Sequence, residues 1–331
     1  MDENPQPPKK ATRAVTYLRV SVTDRCNLRC FYCLPVTGLS HMDHGEILTY
    51  EEILRVIRVG VEAGVAKVRI TGGEPLVRRD VVGLVDRAAK ISGIRELCLT
   101  TNGTRLDELA APLFRAGLNR LNVSLDSLDP ETFKTITRGN FFESVVSGMR
   151  QAEAAGFSPI KINTVVMAGI NDHEIGDLAE LSMKGPFWVR FIEFMPIMGQ
   201  VPWTPQRVVT AAEMKKRLEE RFGPLSPSPA TGMDSGPAVM YSLPGAIGKV
   251  GFIGAVSGHF CDTCNRMRLT ADGKLKPCLF SNLEVDVKTA LRKGCDDAEL
   301  AALFAHAVSI KPGGRTENPD SNTRPMGAIG G

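Results

Sequence analysis

Six short β-rich runs alternate with helical patterns through the first two thirds of the chain, and this alternation constrains the fold most. The runs are "VTYLRVSV" (15–22), "KVRIT" (67–71), "RELCLTT" (95–101), "RLNVSL" (120–125), "IKINTVV" (160–166) and "FWVRFIEF" (187–194). Strands separated by helices lie parallel with right-handed crossovers, so a doubly wound sheet and a barrel-like sheet are the simplest closures. Six units are two short of a complete eight-unit barrel. The first helical segment, "TYEEILRVIRVGVEAG", opens with Thr49 as N-cap and Glu52 at N3, a capping box. Ile53, Val56, Ile57, Gly60 and Val61 form its apolar stripe, and Gly64 suits its stop. Further helices are expected near 80–91, 106–116, 141–155 and 173–183.

In either closure, chemistry belongs just beyond the strands' C-terminal ends. The suggestive residues stand there: "DRCNLRCFYC" after the first strand, "GGEP" (72–75) after the second, "TNG" (101–103) after the third and "FMP" (194–196) after the sixth. That coincidence favours the barrel-type reading. Past residue 200 the texture changes. A helix near 211–221 leads into the proline-, serine- and glycine-rich stretch 223–237, read as a linker. A smaller C-terminal unit, 238–310, follows, with short strands and helices near 283–292 and 297–308. The polar, glycine-rich tail 311–331 ends the chain. The main unit is then 14–222, behind a polar, proline-rich lead, 1–13, expected to be disordered.

Net charge is +3, too mild to argue for nucleic acid, so an anionic ligand must be met by local arginines. No apolar run approaches the ~18 residues of a membrane span, and the lead has no apolar core of a secretory signal. The expected compartment is the cytosol, where cysteines stay reduced and serve metals or catalysis.

Six of the eight cysteines fall into two triads. Cys26, Cys30 and Cys33 are spaced C-x3-C-x2-C in the first strand-end loop. Three soft thiolates there suit an iron–sulfur cluster, or zinc completed by His41 or His44. Cys261, Cys264 and Cys278 form the second triad. "RMRLT", "ADG" and "KLKPC" read as a hairpin. Pairing about Asp272 sets Arg266 opposite Cys278 and returns Cys278 beside Cys264. Alternation puts Arg266 and Arg268 on one face, Met267 and Leu269 on the other. Zinc completed by His259 is the alternative here. The paired guanidinium groups favour an anionic ligand. Cys98 reads as core and Cys295 as a spare thiol.

The first triad, with Tyr32 before its last cysteine, and "TGGEP" (71–75) resemble the radical S-adenosylmethionine (SAM) superfamily. With the second triad the resemblance narrows to the GTP 3′,8-cyclases of molybdenum cofactor biosynthesis. It covers residues 14–331 through "LRVSVTDRCNLRCFYCLP", "RITGGEPLVRRD", "NVSLDSLD", "KINTVVMAGIND", "VRFIEFMP", "CDTCNRMRLTADGKLKPCL" and the final "GG". The resemblance implies an incomplete (βα)6 barrel, a C-terminal domain with a second cluster, and two 4Fe–4S clusters, each leaving one iron for a ligand. SAM would take the first open iron and guanine the second. Tyr32, Gly73, Ser124 and Met195 match SAM contacts. Arg19, Arg69, Thr100, Lys161, Arg190, Arg266, Met267 and Arg268 match GTP contacts. Gly330 and Gly331 would reach the active site with Arg266 and Arg268, although composition alone reads "GAIGG" as disorder; Gly327 stands where many relatives carry serine. The implied reaction converts GTP to (8S)-3′,8-cyclo-7,8-dihydroguanosine 5′-triphosphate. A flavodoxin or ferredoxin would supply electrons, cyclic pyranopterin monophosphate synthase would act next, and a homodimer is allowed. Another two-cluster radical SAM enzyme acting on a peptide, or a zinc-dependent nucleic-acid module, are the competing readings.

Overall fold

A computed structural model describes residues 14–34, 42–196, 203–229, 236–258, 260–314, 324 and 326–330. The six expected strands form: β1 (Tyr17–Ser21), β2 (Lys67–Thr71), β3 (Glu96–Thr101), β4 (Arg120–Ser124), β5 (Ile160–Val166) and β6 (Phe187–Glu193). Between them run α1 (Tyr50–Glu62), α2 (Val81–Ala89), α3 (Leu106–Arg115), α4 (Pro130–Thr137), α5 (Phe142–Ala154) and α6 (Ile175–Lys184). The capping box of α1 is present: Glu52 N donates to Thr49 Oγ1 at 3.2 Å, and Thr49 N donates to Glu52 Oε2 at 2.7 Å. Helix α4 was not anticipated, although Asp129 caps it through Thr132 N at 2.8 Å and Pro130 opens it.

The remaining elements are α7 (Ala211–Phe222), β7 (Ser226–Pro227), β8 (Val239–Ser242), β9 (Lys249–Ile253), β10 (Arg266–Leu269), β11 (Lys274–Lys276), β12 (Val285–Asp286), α8 (Lys288–Arg292), α9 (Asp297–Ser309) and α10 (Met326–Ile329). The single helix expected over 283–292 is instead β12 followed by α8. Val285 pairs with Leu275 and is buried there, and Asp286 then accepts from Thr289 N at 3.1 Å to start the helix.

Among the described residues twelve strands share one sheet, ordered β12-β11-β10-β1-β2-β3-β4-β5-β6-β9-β8-β7. Strand β10 runs parallel to β1, and β9 parallel to β6. The C-terminal segment therefore extends both edges of the six-strand array. It uses antiparallel β11, β12, β8 and β7 beyond them.

Alternation along each strand separates two faces. Leu18 and Val20, Val68 and Ile70, Leu97 and Leu99, Ile160 and Ile162, and Val189 and Phe191 are buried in one apolar core. The opposite face is polar. It carries Tyr17, Arg19, Lys67, Arg69, Thr100, Asn122, Asn163 and Arg190. Arg190 on β6 feels the charges of Arg69 on β2 and Arg19 on β1. At ~4.8 Å per strand a flat sheet would hold those charges roughly 20 Å apart. The sheet is thus curled, and its polar face lines the interior. Among the described residues no helix is long and apolar enough to cross a membrane.

Candidate active site

The interior is dominated by guanidinium groups. Register places Arg19 between Arg69 and Arg268, and Tyr17 between Lys67 and Arg266. Arg69 donates to the Tyr17 hydroxyl and, at 3.3 Å, to Thr100 Oγ1. Burial pushes Arg19 down to about 10, with Arg69 and Arg266 repelling it. Burial likewise brings Arg190 and Arg268 to about 9, reinforced by their arginine neighbours. All three stay cationic at neutral pH. Arg69 moves the other way: burial lowers it, but Cys98, Tyr17 and Glu96 outweigh that. Lys161, also buried, lies 4.8 Å from the centre of the Trp188 ring. Arg190 Nε, Asn122 Oδ1 and Asn163 Oδ1 are buried without a hydrogen-bond partner. Orphaned donors and acceptors on one lining surface are what a polar ligand would satisfy.

The first cysteine triad follows β1 at one end of this interior. Arg29 N donates to Thr137 O at 2.9 Å and Phe31 N to Ile136 O at 3.0 Å, pinning the loop to α4. The Phe31 ring packs with Ile136, Met167 and Phe194. Tyr32 donates to Asp126 Oδ2 at 2.6 Å, while Val165 N holds Asp126 Oδ1 at 2.8 Å. Against the loop lies the "GGEP" turn: Gly73 N donates to Thr23 O at 2.7 Å and Glu74 N to Arg25 O at 2.8 Å. A Cβ at Gly73 would strike Arg25 O and come within 2.7 Å of Asp24 O, so only glycine fits. The buried Glu74 carboxylate accepts from Leu76 N, Thr101 Oγ1 and Asn102 N at 2.6–2.9 Å. Burial still raises it to about 7. Ser124 and Met195 stand half-buried at the matching ends of β4 and β6.

The second triad lies at the opposite end, because Cys264 precedes β10 while Cys26 follows β1. The hairpin register pairs Arg268 with Lys276 and Leu269 with Leu275, the pairing about Asp272 expected from sequence. Arg268 faces the interior, whereas Met267 is fully buried in the apolar core on the helix side. A substrate contact by Met267 would have to use its backbone. Lys311 was missed. Its ammonium donates to Cys264 Sγ at 3.7 Å, Arg266 O at 2.7 Å and Pro277 O at 2.6 Å, tying the two arms of the triad together. Burial raises the Cys264 thiol, but the Arg266 and Lys311 charges hold it at about 7. Nothing in sequence marked a lysine at the start of a polar tail.

The tail joins both ends. Arg268 donates to Gly330 O, and Gly330 lies against Ser21 and Thr71 at the C-terminal ends of β1 and β2. Gly330 has φ +83°, and a Cβ there would sit 2.8 Å from Thr71 Cγ2. Gly331, His41 and His259 lie outside the described residues.

A family model described as the radical SAM superfamily matches residues 20–182, and one described as Molybdenum Cofactor Synthesis C matches 187–316. A GTP 3′,8-cyclase of Thermodesulfovibrio yellowstonii is 48% identical over 320 residues, covering 96% of this chain and 98% of its own. The chain belongs to the GTP 3′,8-cyclase family. The cyclase of Heliobacterium modesticaldum is 49% identical over 91% of both chains. Among solved structures, Streptococcus suis SuiB bound to S-adenosylmethionine superposes with a TM-score of 0.64 at 16% identity, over 96% of this chain and 72% of that one. That likeness concerns the fold alone, a radical SAM α/β barrel.

As a radical SAM protein, this cyclase-family member takes SAM and a 4Fe–4S cluster. Cys26, Cys30 and Cys33, three part-buried free thiols on one loop, are the residues that would hold that cluster. Burial drives the Cys26 thiol up to about 11 and the Cys33 thiol to about 12, and as bare thiolates the neighbouring cysteines would repel one another. Iron would relieve that repulsion by binding them as thiolates. Cys26 Sγ already accepts from Leu28 N at 3.4 Å and Asn102 Nδ2 at 3.9 Å, the donors that ligating sulfurs use. Asn102 and Asp126 were not singled out from sequence, although they lie inside the quoted "TNG" and "NVSLDSLD" motifs respectively.

Proposed function

We propose that the chain is a radical SAM GTP 3′,8-cyclase whose substrate lies inside the barrel, between the two cysteine triads. The observation that carries this is the crowd of arginines along the wall joining them. A five-residue parallel strand, β1, separates the triads, about 16 Å at ~3.3 Å per residue. That length suits an elongated nucleotide reaching from one triad to the other. Arg19, Arg69, Arg190, Arg266, Arg268 and Lys161 would neutralise the triphosphate. Thr100, Asn122 and Asn163 offer polar groups to ribose or base. Tyr32, Gly73, Ser124 and Met195 would hold SAM beside Cys26, Cys30 and Cys33. When bound, the first cluster and SAM would supply a 5′-deoxyadenosyl radical that takes the C3′ hydrogen of GTP; C3′ would then bond to guanine C8, with one electron from the reductant and one proton completing the product.

Cys261, Cys264 and Cys278 would hold a second 4Fe–4S cluster presenting an open iron to guanine. Lys311 fits that reading as a donor to a ligating sulfur. Gly330 and Gly331 would bring side-chain-free backbone to the substrate beside Arg268. The electron donor is assigned to the flavodoxin or ferredoxin class, and the product to cyclic pyranopterin monophosphate synthase. A homodimer remains part of the proposal.

The test is anaerobic purification, analysis of iron, sulfide and zinc, then addition of reductant, SAM and GTP. About eight irons are expected, for two four-iron clusters, with 5′-deoxyadenosine formed only when GTP is present. Four irons with one zinc would remove the second cluster. Radical formation independent of GTP would favour a peptide-modifying relative.

Gly73→Ala tests the SAM side. Its methyl cannot enter without parting the "GGEP" turn from the cysteine loop, an overpacking that costs about 1–3 kcal/mol. SAM affinity measured by equilibrium dialysis is expected to fall roughly tenfold or more. Unchanged affinity would remove Gly73 from the site.

A further inference from the structure

The C-terminal turn is too short to hold itself. Helix α10 has four residues, far below the length at which an isolated helix persists. Ordering a backbone also opposes its placement at every residue. Yet Gly330 accepts from Arg268 and lies against Ser21 and Thr71, so the turn has to be fixed in direction as well as position. Ile329, buried at 1% exposure, gives a non-directional anchor only.

A directional anchor lies just upstream. Arg324 donates to both oxygens of Asp272, at 3.0 and 3.1 Å, and to Glu284 at 2.9 Å. Asp272 is the tip of the β10–β11 hairpin and also accepts from Thr270 Oγ1 at 2.6 Å. Glu284 precedes β12 and faces the fully buried Lys276 ammonium at 3.6 Å. A planar fork gripping two fixed carboxylates sets an angle as well as a distance. The hairpin it grips is the one that carries Arg266 and Arg268.

We propose that Arg324 is a positioning residue: its grip on Asp272 and Glu284 locks the tail to the substrate-binding hairpin and so sets Gly330 on Arg268. This rests on the reading of Gly330 and Gly331 as part of the active site. The tail is then aligned by the same structural unit that holds the substrate arginines, and the two move together.

The experiment uses the full-length, cluster-loaded enzyme and Arg324→Ala. Amide hydrogen exchange over 326–330 is expected to lose its protection. The kcat is expected to fall on the order of 10- to 100-fold, with iron content and melting temperature unchanged. Arg324→Lys should recover part of both, because a point charge still reaches the two carboxylates. Wild-type exchange over 326–330 in Arg324→Ala overturns the proposal. Loss of iron together with protection also overturns it, since Arg324 would then be a residue of the fold at large. A chain ending at Ile329 separates the two readings. If it turns over GTP normally, the active-site tail itself is wrong. If it is inactive while Arg324→Ala behaves as wild type, only the positioning role falls.

Discussion

Arg190→Gln is expected to weaken GTP binding on the order of 100-fold and, at the same time, to raise the melting temperature of the ligand-free protein. Both effects have one source. Arg190 points into an interior already holding Arg19 and Arg69, and its Nε is buried with no hydrogen-bond partner. Without an anion, that charge is repelled by its neighbours and poorly solvated. Removing it relieves the repulsion, and glutamine keeps part of the volume. On the proposed reading, with GTP present the same charge would meet phosphate. Truncating one partner of a buried charged contact costs about 2–5 kcal/mol, and each 1.4 kcal/mol is about tenfold in affinity. The pH sign agrees. Arg190 is depressed to about 9 in the folded protein, below its value in the unfolded chain. The unfolded state therefore binds more protons above that pH, so the penalty is full at neutral pH and fades as pH rises past 9. Isothermal titration with GTP and calorimetric melting check the pair. A variant that melts lower without ligand would show that Arg190 is a structural residue.

Cys30→Ser is expected to abolish 5′-deoxyadenosine formation. Serine keeps the shape of the loop but offers a hard hydroxyl in place of a soft thiolate, which an iron cluster does not accept as an equivalent ligand. With only Cys26 and Cys33 left, the first cluster is lost. Iron should drop from about eight to about four per chain, while GTP binding at the distant arginines persists. Cys98→Ser is the matched control. Cys98 is also buried, but it sits mid-strand on β3, donates to Glu96 Oε1 at 3.2 Å, and belongs to neither triad. Its replacement should leave iron and radical formation intact. Retention of all the iron in Cys30→Ser would remove Cys30 as a ligand.

Local patterns were legible in the sequence wherever a short-range rule decides the structure. The Thr49–Glu52 capping box, the six strands and the hairpin centred on Asp272 all depend on neighbours within a few residues, and all appear as expected. The two strands that widen the barrel wall were not legible. Nothing in "KVGFI" or "RMRL" says that one pairs with β6 and the other with β1, because that choice is made by tertiary packing. The site divides in the same way. Cysteine spacing marked two groups of three thiols as candidates, and strand alternation put Arg266 and Arg268 on one face, as the register has them. Lys311 and Arg324 act on groups tens of residues away through the folded chain, and their flanking sequence is that of an ordinary polar tail. Helix α4 carried its signals, Asp129 and Pro130, in plain view beside the glycine-containing "TRGN".

The way the C-terminal segment clasps both sides of the sheet bears on how the chain is made. Until β9 and β10 exist, β1 and β6 are open edges with unpaired backbone groups and branched apolar neighbours, the kind of surface that recruits other strands. A nascent or truncated chain ending before residue 249 leaves both edges bare, and one ending before residue 266 still exposes β1. The family boundary near residue 187 therefore does not mark a place where the polypeptide can be cut into two stable halves. Synthesis must run almost to the end before the barrel wall closes to neighbours. Expression of the N-terminal half alone should give aggregates, a hazard that long-range pairing of first and last strands imposes on any translating ribosome.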